Sequence, residues 1–205
     1  MAKKKIKRKG DSFVRDALIL CGITVILALC LAFVYNMTKN PINDAAEEGK
    51  KVAYKNVFSS YDDIDIENDA ALTKAIEGYT PADEGAKITE GVIVKDKSGN
   101  DIGKAFIASA KGYGGDVTVS VGIDNEGVIT GIDIVSMNET AGLGANCTSE
   151  EFKSQYIGKS GELEVTKSGA PGDSEINALS GATITSKAVT SAVNTCTEFV
   201  EGLGK

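Results

Sequence analysis

The residues best placed to do chemistry are Ser180-Gly181-Ala182-Thr183, where a short loop runs into an amphipathic segment. Helix N-termini attract anions, because their free N–H groups and the macrodipole both favour negative charge. The four residues offer a hydroxyl on the loop, two small residues (Gly181 and Ala182) past which a ligand can approach, and a second hydroxyl where the helix starts. That arrangement suits a phosphate, and the Thr183 hydroxyl is available for esterification to one. The plainer alternative is an ordinary helix start with Ser180 or Thr183 as its cap.

Two other segments share this character. Gly112-Tyr113-Gly114-Gly115 immediately precedes a strand pattern, and Asn138-Glu139-Thr140-Ala141-Gly142-Leu143-Gly144 follows the last one. Each reads alone as a turn. Held by a rigid sheet, however, such loops commonly carry binding groups. The second could lay backbone against a flat ring, with a carboxylate and a hydroxyl just ahead of it.

The elements that position these loops follow from periodicity. Val92–Val94, Lys104–Ala110, Asp116–Ile123 and Val128–Val135 read as strands separated by Lys97-Ser98-Gly99-Asn100 and Asp124-Asn125-Glu126-Gly127 turns. Alternation between such turns predicts antiparallel hairpins with one buried face. Residues 149–157 predict a short helix capped by Ser149, Leu163–Val165 a short strand, and Ile184–Leu203 a closing amphipathic helix. Residues 42–58 read as helix, with Ala46, Val52, Ala53 and Val57 as its apolar stripe. Asn40-Pro41 predicts a break or kink before it. Residues 59–87 read as irregular and acidic, with a helical stretch near 70–76. Strands grouped together with helices around them define an α+β domain.

The front of the chain is different. Residues 1–16 carry seven Lys/Arg against two Asp, and Ala17–Tyr35 carries no charge at all. About 20 apolar residues span a bilayer as a helix. A cleaved signal peptide would have a shorter apolar region ending in a small-x-small site, whereas Phe33-Val34-Tyr35-Asn36 follows here. The chain thus divides into a basic tail (1–16), a membrane anchor (17–36), a connecting segment (37–87) and an α+β domain (88–205). Lys3, Lys4, Lys5, Lys7, Arg8, Lys9 and Arg15 orient the tail to the cytoplasm under the positive-inside rule. The domain then lies outside the cytoplasm.

Composition excludes several chemistries. The whole chain has net charge −7, so the residues after the tail carry −12, which argues against nucleic acid as a partner. There is no histidine and no Cys-x-x-Cys. This removes histidine triads, His-ligated haem, zinc ribbons and clustered iron–sulfur ligation, and no metal site is expected. Cys21 and Cys30 fall in the anchor; Cys147 and Cys196 fall in the domain, and one pair of cysteines does not fix a disulfide. A redox task would need a bound organic group.

The order of GYGG, strand, Asp-x-x-Gly turn, strand, NETAGLG and finally SGATITSKAV resembles the FMN-binding domain of membrane redox complexes. It is most similar to the G subunit of the Rnf-type ion-translocating ferredoxin:NAD+ oxidoreductases, and also to the C subunit of the Na+-translocating NADH:quinone oxidoreductases. The resemblance spans residues 17–203. It implies covalent FMN, joined through a phosphoester to Thr183 by a separate flavin transferase that uses FAD. It also implies the membrane subunits of an Rnf-type complex as partners. On this reading Ser180, Gly181, Ala182 and Lys187 neighbour the phosphate, while Glu139, Thr140, Gly142, Leu143 and Gly144 face the ring. Two positions depart from the family pattern: Asn177 stands where Asp is usual, and Ala141 where Pro is usual. The equivalent FMN subunit of a Na+-translocating NADH:quinone oxidoreductase, a free-standing anchored flavin reductase and a non-redox binding module are the competing functions.

Overall fold

The computed structural model describes residues 9–61 and 63–203; the expectation for the basic residues of 1–8 lies outside them. The chain forms two compact units, residues 1–47 and 48–205.

The first unit is helical. Helix α1 is assigned over Lys9–Asn56 and contains Pro41. The predicted break at Asn40-Pro41 does not occur. Proline removes one helical N–H and crowds one carbonyl. The helix continues on both sides of it because each further residue adds a bond once the helix is nucleated. Among the described residues this is the one helix long and apolar enough to cross a membrane. Its apolar side chains, including Leu20, Leu29 and Phe33, are exposed within the unit, as a lipid-facing surface requires.

The second unit opens with the last turns of α1, so residues 48–87 are folded into it and do not merely connect. Strand β1 (Ile64–Glu67) and helix α2 (Ala70–Glu77) follow. Asp69 caps α2, its carboxylate accepting from Ala71 N and Leu72 N. Strands β2 (Ala86–Asp96), β3 (Asp101–Lys111), β4 (Asp116–Asp124) and β5 (Ile129–Ser136) complete an antiparallel sheet of order β1-β2-β3-β4-β5. After a 3-10 turn (Gly144–Thr148) and helix α3 (Glu150–Lys153), two short strands, β6 (Glu164–Thr166) and β7 (Glu175–Asn177), pair in parallel. Helix α4 (Thr183–Leu203) closes the fold.

One face of the sheet packs against α4 through Phe106, Ala108, Val117, Val119, Val121 and Ile123, which meet Val189, Ala192, Val193 and Phe199. Phe199 sits edge-on between Tyr79 at 5.0 Å and Phe106 at 5.7 Å. Each such aromatic pair adds about 0.5–1.5 kcal/mol beyond burial.

The sheet's other face is also buried, contrary to the one-faced expectation. Tyr54, Val57 and Phe58 cover Val92, Val94, Ala105 and Ile107 there. Gly122 and Gly131 make this possible. A Cβ on Gly122 would meet Val57 Cγ2 and the Val57 carbonyl oxygen at 2.9 Å; one on Gly131 would meet that same oxygen at 3.0 Å. Thr130 Oγ1 donates to the Val57 carbonyl at 2.7 Å.

Candidate functional site

Among the described residues no side chain caps the start of helix α4. The first helical bond runs from Ser186 N to the Ala182 carbonyl. The N–H groups of Thr183, Ile184 and Thr185 therefore precede the ladder, and Ala182 has no side-chain oxygen to receive them. Neither Ser180 nor Thr183 acts as the anticipated cap. The approach loop is instead stapled by Ser186, whose Oγ accepts from Leu179 N and donates to the Ala182 carbonyl, both at 3.0 Å. Gly181 has φ +71°, the left-handed region, and a Cβ there would also reach Leu143 Cδ2 at 3.0 Å. Its glycine is needed on both counts.

The helix start opens into a cleft of about 860 Å3, within the roughly 300–1,000 Å3 usual for small-molecule sites. Ser180, Gly181, Ala182, Thr183, Glu139, Thr140, Leu143 and Gly144 all line it. Eight of the ten residues expected at the site are therefore brought together, from two loops 36 or more residues apart. Gly142 is not among the lining residues: it turns the loop at φ +77° with open space beyond its Cα. Lys187 is not either; it lines a separate cleft of about 700 Å3 with Asp83, Leu163, Ser191 and Glu198.

The cation lining the site is Lys167, on the loop after β6. Strand β6 is anchored at its entry by Asn194 of α4, which accepts from Leu163 N at 3.0 Å and donates to the Leu163 carbonyl at 2.9 Å. Gln155 likewise clasps the backbone of Asn177, accepting from its N–H at 2.8 Å. Around the mouth stand Tyr113, Leu143 and Ile184, exposed by 74%, 44% and 54%. They give an apolar rim above a base of free helix N–H groups.

Of the hydroxyls in the closing motif, only two are free to react. Thr185 and Ser186 are buried and engaged in hydrogen bonds. Thr183 is half-buried in the cleft and Ser180 is exposed beside it.

Glu139, expected to face the ring, has both carboxylate oxygens engaged by protein groups. Its Oε1 accepts from two consecutive backbone N–H groups, Tyr113 at 2.9 Å and Gly114 at 3.1 Å. Its Oε2 accepts from Thr185 Oγ1 at 2.7 Å. Tyr113, Thr185 and Lys167 are among the lining residues that were not expected at the site. The GYGG segment was visible as a motif, but nothing in its residues reveals a partner 25 positions away.

Behind this site Cys147 is fully buried and free, as is Cys196, so the two do not form a disulfide. Burial first, and the nearby Glu139 charge second, push the Cys147 thiol up to about 11. Burial alone raises Cys196.

The cleft sits on a helix N-terminus, with a hydroxyl at its first residue and an apolar rim, an arrangement that suits a phosphorylated planar ligand. The FMN-binding domain family matches residues 112–198, the span from the GYGG loop into α4. The chain is 33% identical over 207 residues, 99% of each chain, to the G subunit of the Na+-translocating ferredoxin:NAD+ oxidoreductase complex of Acetobacterium woodii. It belongs to the family of those G subunits. It is also 32% identical, over 48% of its length, to the C subunit of the Na+-translocating NADH-quinone reductase of Vibrio anguillarum, covering 43% of that protein. The crystal structure of Shewanella oneidensis NqrC aligns over 73% of this chain and 87% of that one, with TM-score 0.49 and 18% identity.

Proposed function

We propose that the chain is the membrane-anchored FMN subunit of an Rnf-type ion-translocating ferredoxin:NAD+ oxidoreductase, with FMN joined by a phosphoester to Thr183. The observation that carries this reading is the uncapped start of α4, where the Thr183 hydroxyl and three free N–H groups share one cleft. The N–H groups of Thr183, Ile184 and Thr185 hold the phosphate, and Lys167 adds the positive charge first assigned to Lys187. Leu143, Ile184 and Tyr113 supply apolar contact for the ring. Bound FMN supplies one- and two-electron transfer, which a chain without histidine or cluster ligands does not itself provide.

Attachment is a transfer reaction. The Thr183 oxygen bonds to the FMN-side phosphorus of FAD, the bond to the bridging pyrophosphate oxygen breaks, AMP leaves, and the hydroxyl proton is released. A separate flavin transferase carries this out. The basic residues ahead of the anchor keep the N-terminus cytoplasmic, which places the FMN domain on the far side of the membrane. The electrons pass to and from other membrane subunits of the complex. Alignment along 99% of the chain at 33% identity with a ferredoxin:NAD+ relative favours this assembly over the NADH:quinone one, whose relatives align with 48% and 69% of it.

The test is intact-mass analysis of the full chain co-expressed with a flavin transferase, beside Thr183→Ala. The expected result is one FMN phosphoryl adduct on the parent protein and none on the variant. A protein that stays unmodified, or an adduct that survives in the variant, overturns the assignment.

A further inference from the structure

Three of the motif glycines are arranged around one carboxylate. A Cβ on Gly112 would meet Glu139 Oε1 at 2.3 Å, and one on Gly144 would meet Glu139 Oε2 at 2.6 Å and Thr185 Oγ1 at 2.6 Å. A Cβ on Gly114 would meet the Asn138 carbonyl oxygen at 2.0 Å. These glycines lack left-handed φ values, so their smallness serves space and not backbone conformation. The space is filled by the Glu139 side chain and the main chain that carries it. Two adjacent N–H groups converging on Oε1 form an anion-binding concavity of the kind made by successive backbone amides. Here the anion is supplied by the protein.

We infer that Glu139 is a positioning residue that assembles the cleft before any cofactor arrives, and not a contact of the ring. It ties three segments that are remote in sequence: the 112–115 loop through Tyr113 and Gly114, its own loop, and the first turn of α4 through Thr185. The two bonds to the 112–115 loop hold the backbone of Tyr113, and with it the exposed ring at the cleft rim. The bond to Thr185 fixes the helix start on which Thr183 is carried. This assignment deepens the FMN reading, since it says which group makes the attachment site competent.

The test uses the full chain in detergent, without flavin, and then with FAD and a flavin transferase. In Glu139→Ala, hydrogen exchange at the Tyr113 and Gly114 amides is expected to rise about tenfold or more, the loss expected for bonds to a charged acceptor. Flavin attachment to Thr183 slows by a similar factor. In Glu139→Gln the amide oxygen still accepts from both N–H groups, and its NH2 donates to Thr185 Oγ1. Exchange and attachment should therefore return to near the parent values. Far-UV circular dichroism checks that each variant folds, and Thr185→Val provides a second, near-isosteric cut. It should slow attachment while leaving exchange at Tyr113 and Gly114 unchanged. Unchanged exchange in Glu139→Ala overturns the inference. So does a Glu139→Gln chain with parent-like exchange but attachment as slow as in Glu139→Ala, because the carboxylate charge would then act on the cofactor directly. Should no chain, parent included, accept flavin while the amides respond as expected, the FMN reading fails and the bracing role of Glu139 stands.

Discussion

The two glycines flanking Leu143 should fail for different reasons when replaced by alanine. Gly142 has φ +77° and nothing within 4 Å of an added Cβ, whereas Gly144 lies outside the left-handed region but is crowded. At Gly142 the cost is conformational, about 1–2 kcal/mol for a left-handed alanine. Reduced freedom of the unfolded chain offsets about 0.4–1 kcal/mol of it. The net loss is then about 0.8 kcal/mol at the middle of these ranges. At Gly144 the new methyl carbon would sit 2.6 Å from both Glu139 Oε2 and Thr185 Oγ1, and 2.9 Å from Glu139 Cβ. The two oxygens could swing away only by parting from each other. That forfeits a hydrogen bond to a charged group, about 1.5–3 kcal/mol. Moving the Glu139 backbone instead incurs an overpacking cost of about 1–3 kcal/mol. After the same unfolded-state offset, Gly144→Ala should lose about 2 kcal/mol. With a urea dependence of about 2 kcal/mol per molar, the midpoint falls by roughly 1 M, against less than about 0.5 M for Gly142→Ala. The chain has no tryptophan, so near-UV circular dichroism of its tyrosines is the assay; Tyr156 and Tyr79 lie in the core being followed. Gly142→Asn should be milder still, because asparagine tolerates the left-handed region. A Gly144→Ala midpoint equal to or above that of Gly142→Ala would refute the reasoning.

Lys167→Gln should slow flavin attachment or weaken binding of free FMN by about threefold to tenfold, the scale of one partly exposed charge contact. Lys187→Gln, facing the other cleft, should leave both within error; a larger effect at Lys187 would reverse the assignment. Alkaline pH should destabilise the domain. Burial holds the Cys147 thiol up to about 11 and raises Cys196 and the Tyr156 phenol, against ordinary values of 9.0 and 10.0. The unfolded chain therefore releases these protons first, and the stability present below pH 9 is lost as pH rises through 9 to 11. The slope is on the order of 1 kcal/mol per pH unit for each thiol, and Cys196→Ala should flatten urea midpoints measured across that range. Finally, Lys153 bonds Asp133 at 3.0 Å and Glu150 at 2.7 Å, with Asp133 also accepting from Asn56 at 2.7 Å. Lys153→Ala removes the cation from a largely buried carboxylate and should cost about 1–3 kcal/mol by urea unfolding; Glu150→Ala, whose side chain is 87% exposed, should be nearly silent.

Sequence alone was informative where periodicity and turn chemistry act locally. The strands around Asp124-Asn125-Glu126-Gly127, the closing helix and the loop at Ser180–Thr183 could be read because each signal lies within a dozen residues. Strand β1 could not: Ile64-Asp65-Ile66-Glu67 is short and acidic, and it is a strand only because β2 pairs with it. The second buried face of the sheet was hidden because its cover comes from residues 53–58, which read simply as the end of a helix. Lys187 was expected near the phosphate from its place in the SGATITSKAV motif. The cleft meets α4 end-on, however, so only its first three residues line it. Lys167 lines the cleft instead, from the loop after β6, a placement no local pattern records. Glu139 was recognised as a site residue, but its hydrogen-bond partners, Tyr113 N, Gly114 N and Thr185 Oγ1, lie in other segments that no local pattern records.

The seating of Val57 on Gly122 and Gly131 decides where a soluble version of this protein can begin. Trimming back to residue 88, where strand patterning starts, would uncover Val92, Val94, Ala105 and Ile107 and yield a sticky, aggregation-prone fragment. A cut just upstream of Glu48 discards the lipid-facing stretch and keeps the segment that shields those side chains.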